Sequence, residues 1–95
     1  MDNLVSSQLA ELTHWSVVER QISRDFEFVD FAQAFDFISQ IAKIAEVMDH
    51  HPKWCQDYQR VSIYLTTHTQ KRVTQLDIDL AVKIDAIFNQ INKLG

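Results

Sequence analysis

Glycine and proline are nearly missing from this sequence, with one of each in 95 residues. Both residues punctuate turns and stop regular elements, so their scarcity predicts long helices and strands with few tight turns. The single glycine is Gly95, which excludes a glycine-rich phosphate-cradling loop. The single cysteine, Cys55, has no internal disulfide partner and fits a reducing compartment. It lies in a strand-like segment and is expected to pack there, although His51 is near enough in sequence to activate a thiol. Basic residues form no run beyond Lys71-Arg72, and the formal net charge is −4. The basic footprint of nucleic-acid binding is therefore absent. No apolar stretch approaches the ~20 residues of a membrane span. Met1-Asp2-Asn3 lacks the basic start and apolar run of a secretory signal. The expectation is a soluble cytoplasmic protein with no nucleic-acid or membrane partner.

The composition, 46% hydrophobic and 23% charged, is that of a folded chain. Its length fits a single domain over residues 1–95. No internal repeat or linker is visible. Asn3 to Leu12 carries Leu4, Val5, Gln8, Leu9 and Leu12 in a partial helical stripe. Trp15 and Val17, then Phe26 and Phe28, alternate with polar neighbours and predict strands at about 14–18 and 21–29. From Asp30 to Met48, the residues Phe31, Ala34, Phe35, Ile38, Ala42, Ala45 and Met48 recur at helical spacing. Asp30 with Gln33 forms a capping-box pattern, and Pro52 requires the helix to have ended before it. A strand follows, running to Tyr58. Arg60 to Thr67 then alternates, with Val61, Ile63 and Leu65 on one face and Ser62, Tyr64 and Thr66 on the other. After a polar loop, Thr74 with Asp77 opens a last helix in which Leu80, Ile84, Ile87, Ile91 and Leu94 step by four and three. The expected architecture is α+β: a four-stranded antiparallel sheet with three helices on one face, in the order α-β-β-α-β-β-α.

Three of the four histidines gather around this second strand pair. His50 and His51 follow a helix end, and His68 follows a strand eighteen residues beyond His50. Imidazole is the side chain best matched to proton transfer near neutral pH. Glu46 lies one helical turn before His50, and Asp77 lies near the start of the last helix. Either carboxylate suits orienting an imidazole or holding substrate N–H groups. Trp54 and Tyr58 suit walling a flat heterocycle. The same residues also read as solvated loop histidines and a polar strand histidine. A zinc site is a further reading. Against it, adjacent histidines diverge, and no His-x-His or His-x-x-x-His spacing occurs. His14 reads as a surface residue, and Trp15 as core or pocket wall.

The run Ala45-Glu46-Val47-Met48-Asp49-His50-His51-Pro52-Lys53-Trp54 resembles the hallmark of the pterin-4a-carbinolamine dehydratases. The likeness continues through Tyr58, Val61 to His68, and Asp77-Ile78-Asp79-Leu80-Ala81, with Trp15 and Phe26 to Phe31 matching upstream. It thus covers nearly the whole chain, with several motifs in register. Cys55 departs from the pattern, standing where an aromatic residue is frequent. So does the glycine-free, basic stretch Gln70-Lys71-Arg72-Val73.

The resemblance implies dehydration of 4a-hydroxytetrahydrobiopterin to quinonoid dihydropterin, as homodimers or homotetramers and with no metal or organic cofactor. It implies His50, His51 and His68 as catalytic residues. Asp49, Thr66, Thr67 and Thr69 fall around the pterin, and Glu46 and Asp77 fall at acidic positions of the site. With Trp54 as an aromatic wall, these are the expected substrate-binding residues. His51 and His68 are expected to share the acid–base work, with His50 orienting the leaving hydroxyl. The rival expectation is a module of the same fold that binds a pterin or a protein without turnover. The coactivator role of some animal members has no counterpart in these residues.

Overall fold

The structure, a computed structural model, describes residues 3–94. Helix α1 (Asn3–Glu11) leads into strands β1 (Ser16–Val18) and β2 (Gln21–Glu27). Helix α2 (Phe31–Met48), strands β3 (Lys53–Asp57) and β4 (Arg60–Leu65), and helix α3 (Gln75–Leu94) follow. The element order is the one expected. Both strands of the first pair are shorter than expected, and β4 stops at Leu65. The side chain of Leu94, expected in the α3 stripe, lies outside the described residues.

The four strands pair antiparallel in the order β1-β2-β4-β3. Register places Ile22 opposite Leu65, Arg24 opposite Ile63, and Phe26 opposite Val61. Because side chains alternate across a strand, Ile22, Phe26, Val61, Ile63 and Leu65 form one apolar face, and it is fully covered by the helices. The opposite face carries Ser23, Asp25, Glu27, Lys53, Cys55, Asp57, Ser62 and Tyr64. Cys55 is therefore exposed and does not pack, contrary to expectation. Its register partner is Ser62, on the side with no helix layer.

The α2 stripe also differs from its reading. Ala34, Ile38 and Ala45 are buried as expected, but they are joined by Phe37 and Ile41. Phe31 and Phe35 stay half-exposed, stacked on each other at 6.3 Å. The helix has apolar residues around much of its circumference, so periodicity alone does not select the buried arc. Phe37 is chosen because it completes a cluster with Phe26 and Phe28, at ring distances of 4.8 and 4.9 Å, with Phe88 beside them. Trp15 is core. Its indole N–H donates to Asp85 at 3.0 Å, and the Arg24 guanidinium also bonds Asp85, at 2.7 Å, while lying over the Phe26 ring. The polar groups at this edge of the core are thus paired, as burial requires.

A chain with so little glycine turns on other residues. Among the described residues Glu19, Asp49, Tyr58 and Lys71 hold the left-handed conformation. Each costs roughly 1–2 kcal/mol relative to right-handed backbone. Asp49 is the one that matters for the site.

Candidate functional site

Helix α2 ends in a Schellman arrangement. Asp49 sits at φ 51° and ψ 43°. Its N–H donates to Glu46 O at 3.2 Å, and the N–H of His50 donates to Ala45 O at 3.0 Å. This turn folds the chain back sharply, and the next two side chains diverge. His50 goes inward and is buried, whereas His51 remains exposed.

Inside, His50 Nε2 meets Asp77 Oδ1 at 2.6 Å. Asp77 lies in the first turn of α3 and is wholly buried. Its other oxygen, Oδ2, accepts from the Thr67 hydroxyl at 2.8 Å and from the Thr74 N–H at 2.9 Å. The expected capping box at Thr74 and Asp77 is thus half formed, with the carboxylate reaching back to the cap residue's N–H. Thr67 is held in turn by a bridge to Arg72, its N–H donating to Arg72 O at 2.9 Å. That bridge closes the turn that carries His68. Outside, His51 Nε2 lies 3.1 Å from Glu46 Oε1 in an exposed pair.

A cleft of about 280 Å³ opens here, lined by Asp49, His50, His51, Thr66, Thr67, His68, Thr69 and Leu76. Small-molecule clefts start near this size. Three imidazoles, one carboxylate and three threonine hydroxyls lining one cleft make it suited to proton transfer on a compact polar ring. A larger groove of about 440 Å³ between α2 and α3 is lined mainly by Ile44, Val47, Met48 and Ile87, with Lys43 and Lys83 at its edges. Its lining holds no histidine and no carboxylate, so the smaller cleft is the candidate for proton transfer.

Seven of the expected residues line this cleft: Asp49, His50, His51, Thr66, Thr67, His68 and Thr69. Glu46 reaches it only through His51, and Asp77 stands behind His50 with no exposed surface. Trp54 is not in the lining; its register partner is Ile63, which faces the helices. Tyr58 sits in the β3–β4 turn, at the opposite end of that hairpin from the histidines, and cannot wall the cleft. The hairpin is about 15 Å long at ~3.3 Å per residue. Two residues join the site without having been singled out for it, Leu76 in the cleft lining and Thr74 behind it through Thr67 and Asp77. Leu76 gave no signal beyond being an apolar residue outside the buried α3 stripe. Thr74 showed only as a cap. Among the described residues, no three His, Cys, Asp or Glu side chains are arranged to hold one metal ion, so the donors of the zinc reading do not converge.

A small α+β fold with a histidine-lined cleft at the end of its β3–β4 hairpin defines the class. The family model for pterin 4 alpha carbinolamine dehydratase matches residues 2–87, and the chain belongs to that family. A Synechococcus relative, provisionally named as such a dehydratase, is 46% identical over 80% of this chain and 82% of its own. A Solibacter usitatus relative with the same provisional name is 42% identical, over 87% of both chains. Among solved structures, a transcriptional coactivator/pterin dehydratase from Brucella melitensis superposes with a TM-score of 0.87 at 41% identity. It covers 93% of this chain and 96% of its own. A pterin dehydratase-like RuBisCO assembly factor of the alpha-carboxysome shares the fold, with a TM-score of 0.64 at 22% identity over 77% of this chain and 84% of its own. No helix among the described residues is long and apolar enough to cross a membrane.

Proposed function

We propose that this protein is a 4a-hydroxytetrahydropterin dehydratase working by histidine acid–base catalysis, with 4a-hydroxytetrahydrobiopterin as the expected substrate. The observation that carries the proposal is the buried His50–Asp77 pair at 2.6 Å, in a cleft that His51 and His68 also line. The membership established above supplies the substrate class.

The reaction breaks the C4a–O bond, delivers a proton to the departing hydroxyl, removes the N5 proton and forms the C4a=N5 double bond. It is redox-neutral, so it calls for no electron-carrying cofactor. An ionised aspartate only accepts hydrogen bonds, so the proton between His50 and Asp77 belongs to His50 Nε2. Nδ1 is then the nitrogen free to work on substrate. A carboxylate behind an imidazole fixes its tautomer and stabilises the imidazolium. As the imidazolium, His50 donates from Nδ1–H to the leaving hydroxyl and is left as the Nε2–H tautomer, a larger role than the orienting one expected from sequence. His51 and His68 stand on the exposed side, where a proton taken from N5 passes readily to water. Asp49, Thr66, Thr67 and Thr69 are proposed to surround the pterin ring, and Leu76 to pack on its face. Homodimeric or homotetrameric assembly and a cytoplasmic setting belong to the same reading.

Single His→Ala replacements at 50, 51 and 68 test it. Each is expected to lower the dehydration rate by roughly 10²–10⁴-fold while pterin still binds. Full rate in all three variants would overturn the assignment.

A further inference from the structure

The hydroxyl of Thr74 does not serve its own helix. A cap threonine ordinarily gives its oxygen to a backbone N–H of the first turn, but Thr74 Oγ1 lies 2.7 Å from Thr67 Oγ1, across the turn that precedes α3. The direction of that bond follows from proton counting. Thr67 has one hydroxyl proton, and it is committed to Asp77 Oδ2 at 2.8 Å. Thr67 can therefore only accept from Thr74, and Thr74 must donate. The chain runs one way: Thr74 O–H to Thr67, Thr67 O–H to Asp77 Oδ2, with Asp77 Oδ1 left for the Nε2–H of His50. Thr67 and Asp77 are both buried, and no buried side-chain polar atom among the described residues lacks a partner.

We propose that Thr74 is a positioning residue for the dehydration. Its hydroxyl donates to Thr67 Oγ1 and so anchors the Thr67 side chain against Asp77 Oδ2, which holds the carboxylate, and through it the His50 ring, in place. Thr74 touches no histidine. It acts through two intervening side chains, and removing its hydroxyl leaves the Thr67 side chain with one anchor in place of two. This inference rests on the dehydratase reading for its rate effect, but its effect on the His50–Asp77 bond does not depend on that reading.

The test uses Thr74→Val and Thr74→Ser in the full chain, with three readouts. Thr74→Val is expected to lower kcat by about 10-fold, in the range of outer-shell losses around site histidines, with KM little changed. Thr74→Ser is expected to recover the rate, because it restores the hydroxyl. Nitrogen-15 and proton NMR of the His50 ring is expected to show a strongly hydrogen-bonded Nε2–H in the wild-type protein and in Thr74→Ser, and a weakened one in Thr74→Val. If Thr74→Val does not fold, Thr74→Ala supplies the same comparison. A variant that melts earlier yet keeps its kcat and its His50 Nε2–H signal overturns the proposal, leaving Thr74 a purely structural cap. So does Thr74→Ser behaving like Thr74→Val. If wild type shows no dehydration but Thr74 still controls the His50 Nε2–H bond, the catalytic reading has failed and the relay has not.

Discussion

His50 Nε2 lies 2.6 Å from Asp77 Oδ1, and the carboxylate it meets has no exposed surface. These two residues lie 27 positions apart, one past the end of α2 and the other in the first turn of α3. Their bond therefore ties two helix termini together as well as orienting the imidazole. Asp77→Asn is expected to keep the shape and lose the charge, lowering kcat by roughly 10–100-fold with a smaller change in KM. Asp77→Ala should in addition destabilise the fold by about 1–3 kcal/mol, because the Thr67 hydroxyl and Thr74 N–H lose their acceptor. Steady-state kinetics and urea unfolding on both variants check this. An Asn variant with wild-type kcat would show that the pair is structural only.

The second histidine pair is expected to behave differently. His51 and Glu46 are 3.1 Å apart, with side chains 55% and 78% exposed. Exposed pairs contribute about 0–1 kcal/mol. Glu46→Gln should thus leave both melting temperature and dehydration rate within about threefold of wild type, whereas His51→Ala should lose at least ~10²-fold in rate. Equal losses in the two variants would mean that Glu46 acts on substrate directly.

Core packing makes a prediction of its own. Phe37 is fully buried among Phe26, Phe28 and Phe88, whereas Phe35, two residues earlier, is half-exposed. Phe37→Ala is expected to cost about 3–5 kcal/mol. Phe35→Ala should stay within roughly 0.5 kcal/mol in the isolated chain. Chemical denaturation separates them. A large loss at Phe35 would indicate that a second chain covers it.

On the open sheet face, Asp25 accepts from the Ser62 hydroxyl at 2.7 Å and from Arg60 at 3.0 Å. The Ser62 bond, and then Arg60, hold its carboxyl below the ordinary value of 3.8 despite some desolvation. A carboxyl with a lowered folded pKa stabilises the protein above its unfolded pKa, and that contribution is lost as pH falls through the folded value. Asp25→Asn should therefore melt slightly earlier than wild type at neutral pH, and the gap should close on acidification below 3.8. Asp25 is half-exposed, so the gap should also shrink in high salt. A gap that persists unchanged into strong acid would point to packing instead of charge.

The order of elements was readable because each carried its own local signal. Alternation gave Val61, Ile63 and Leu65, and the capping pairs Asp30–Gln33 and Thr74–Asp77 gave the starts of α2 and α3. The lining of the cleft was readable for a different reason, since its residues fall in two short runs, Asp49 to His51 and Thr66 to Thr69, that the hairpin brings to one end. Burial was less readable. Phe37 is selected over Phe35 by rings arriving from β2 and α3, which no local pattern on α2 contains. Cys55 was misread because a strand residue's face depends on register, and β3 pairs only with β4. The role of Thr74 was hidden because its hydroxyl partner, Thr67, lies across a turn held by the Thr67–Arg72 bridge.

The most direct measurement is a stopped-flow absorbance trace of a 4a-hydroxytetrahydropterin, generated in situ, decaying with and without the protein. Decay well above the spontaneous rate, abolished in a His50→Ala and His68→Ala double variant that still folds, is the predicted result. Decay at the spontaneous rate in the presence of folded, pterin-binding wild-type protein would contradict the dehydratase assignment.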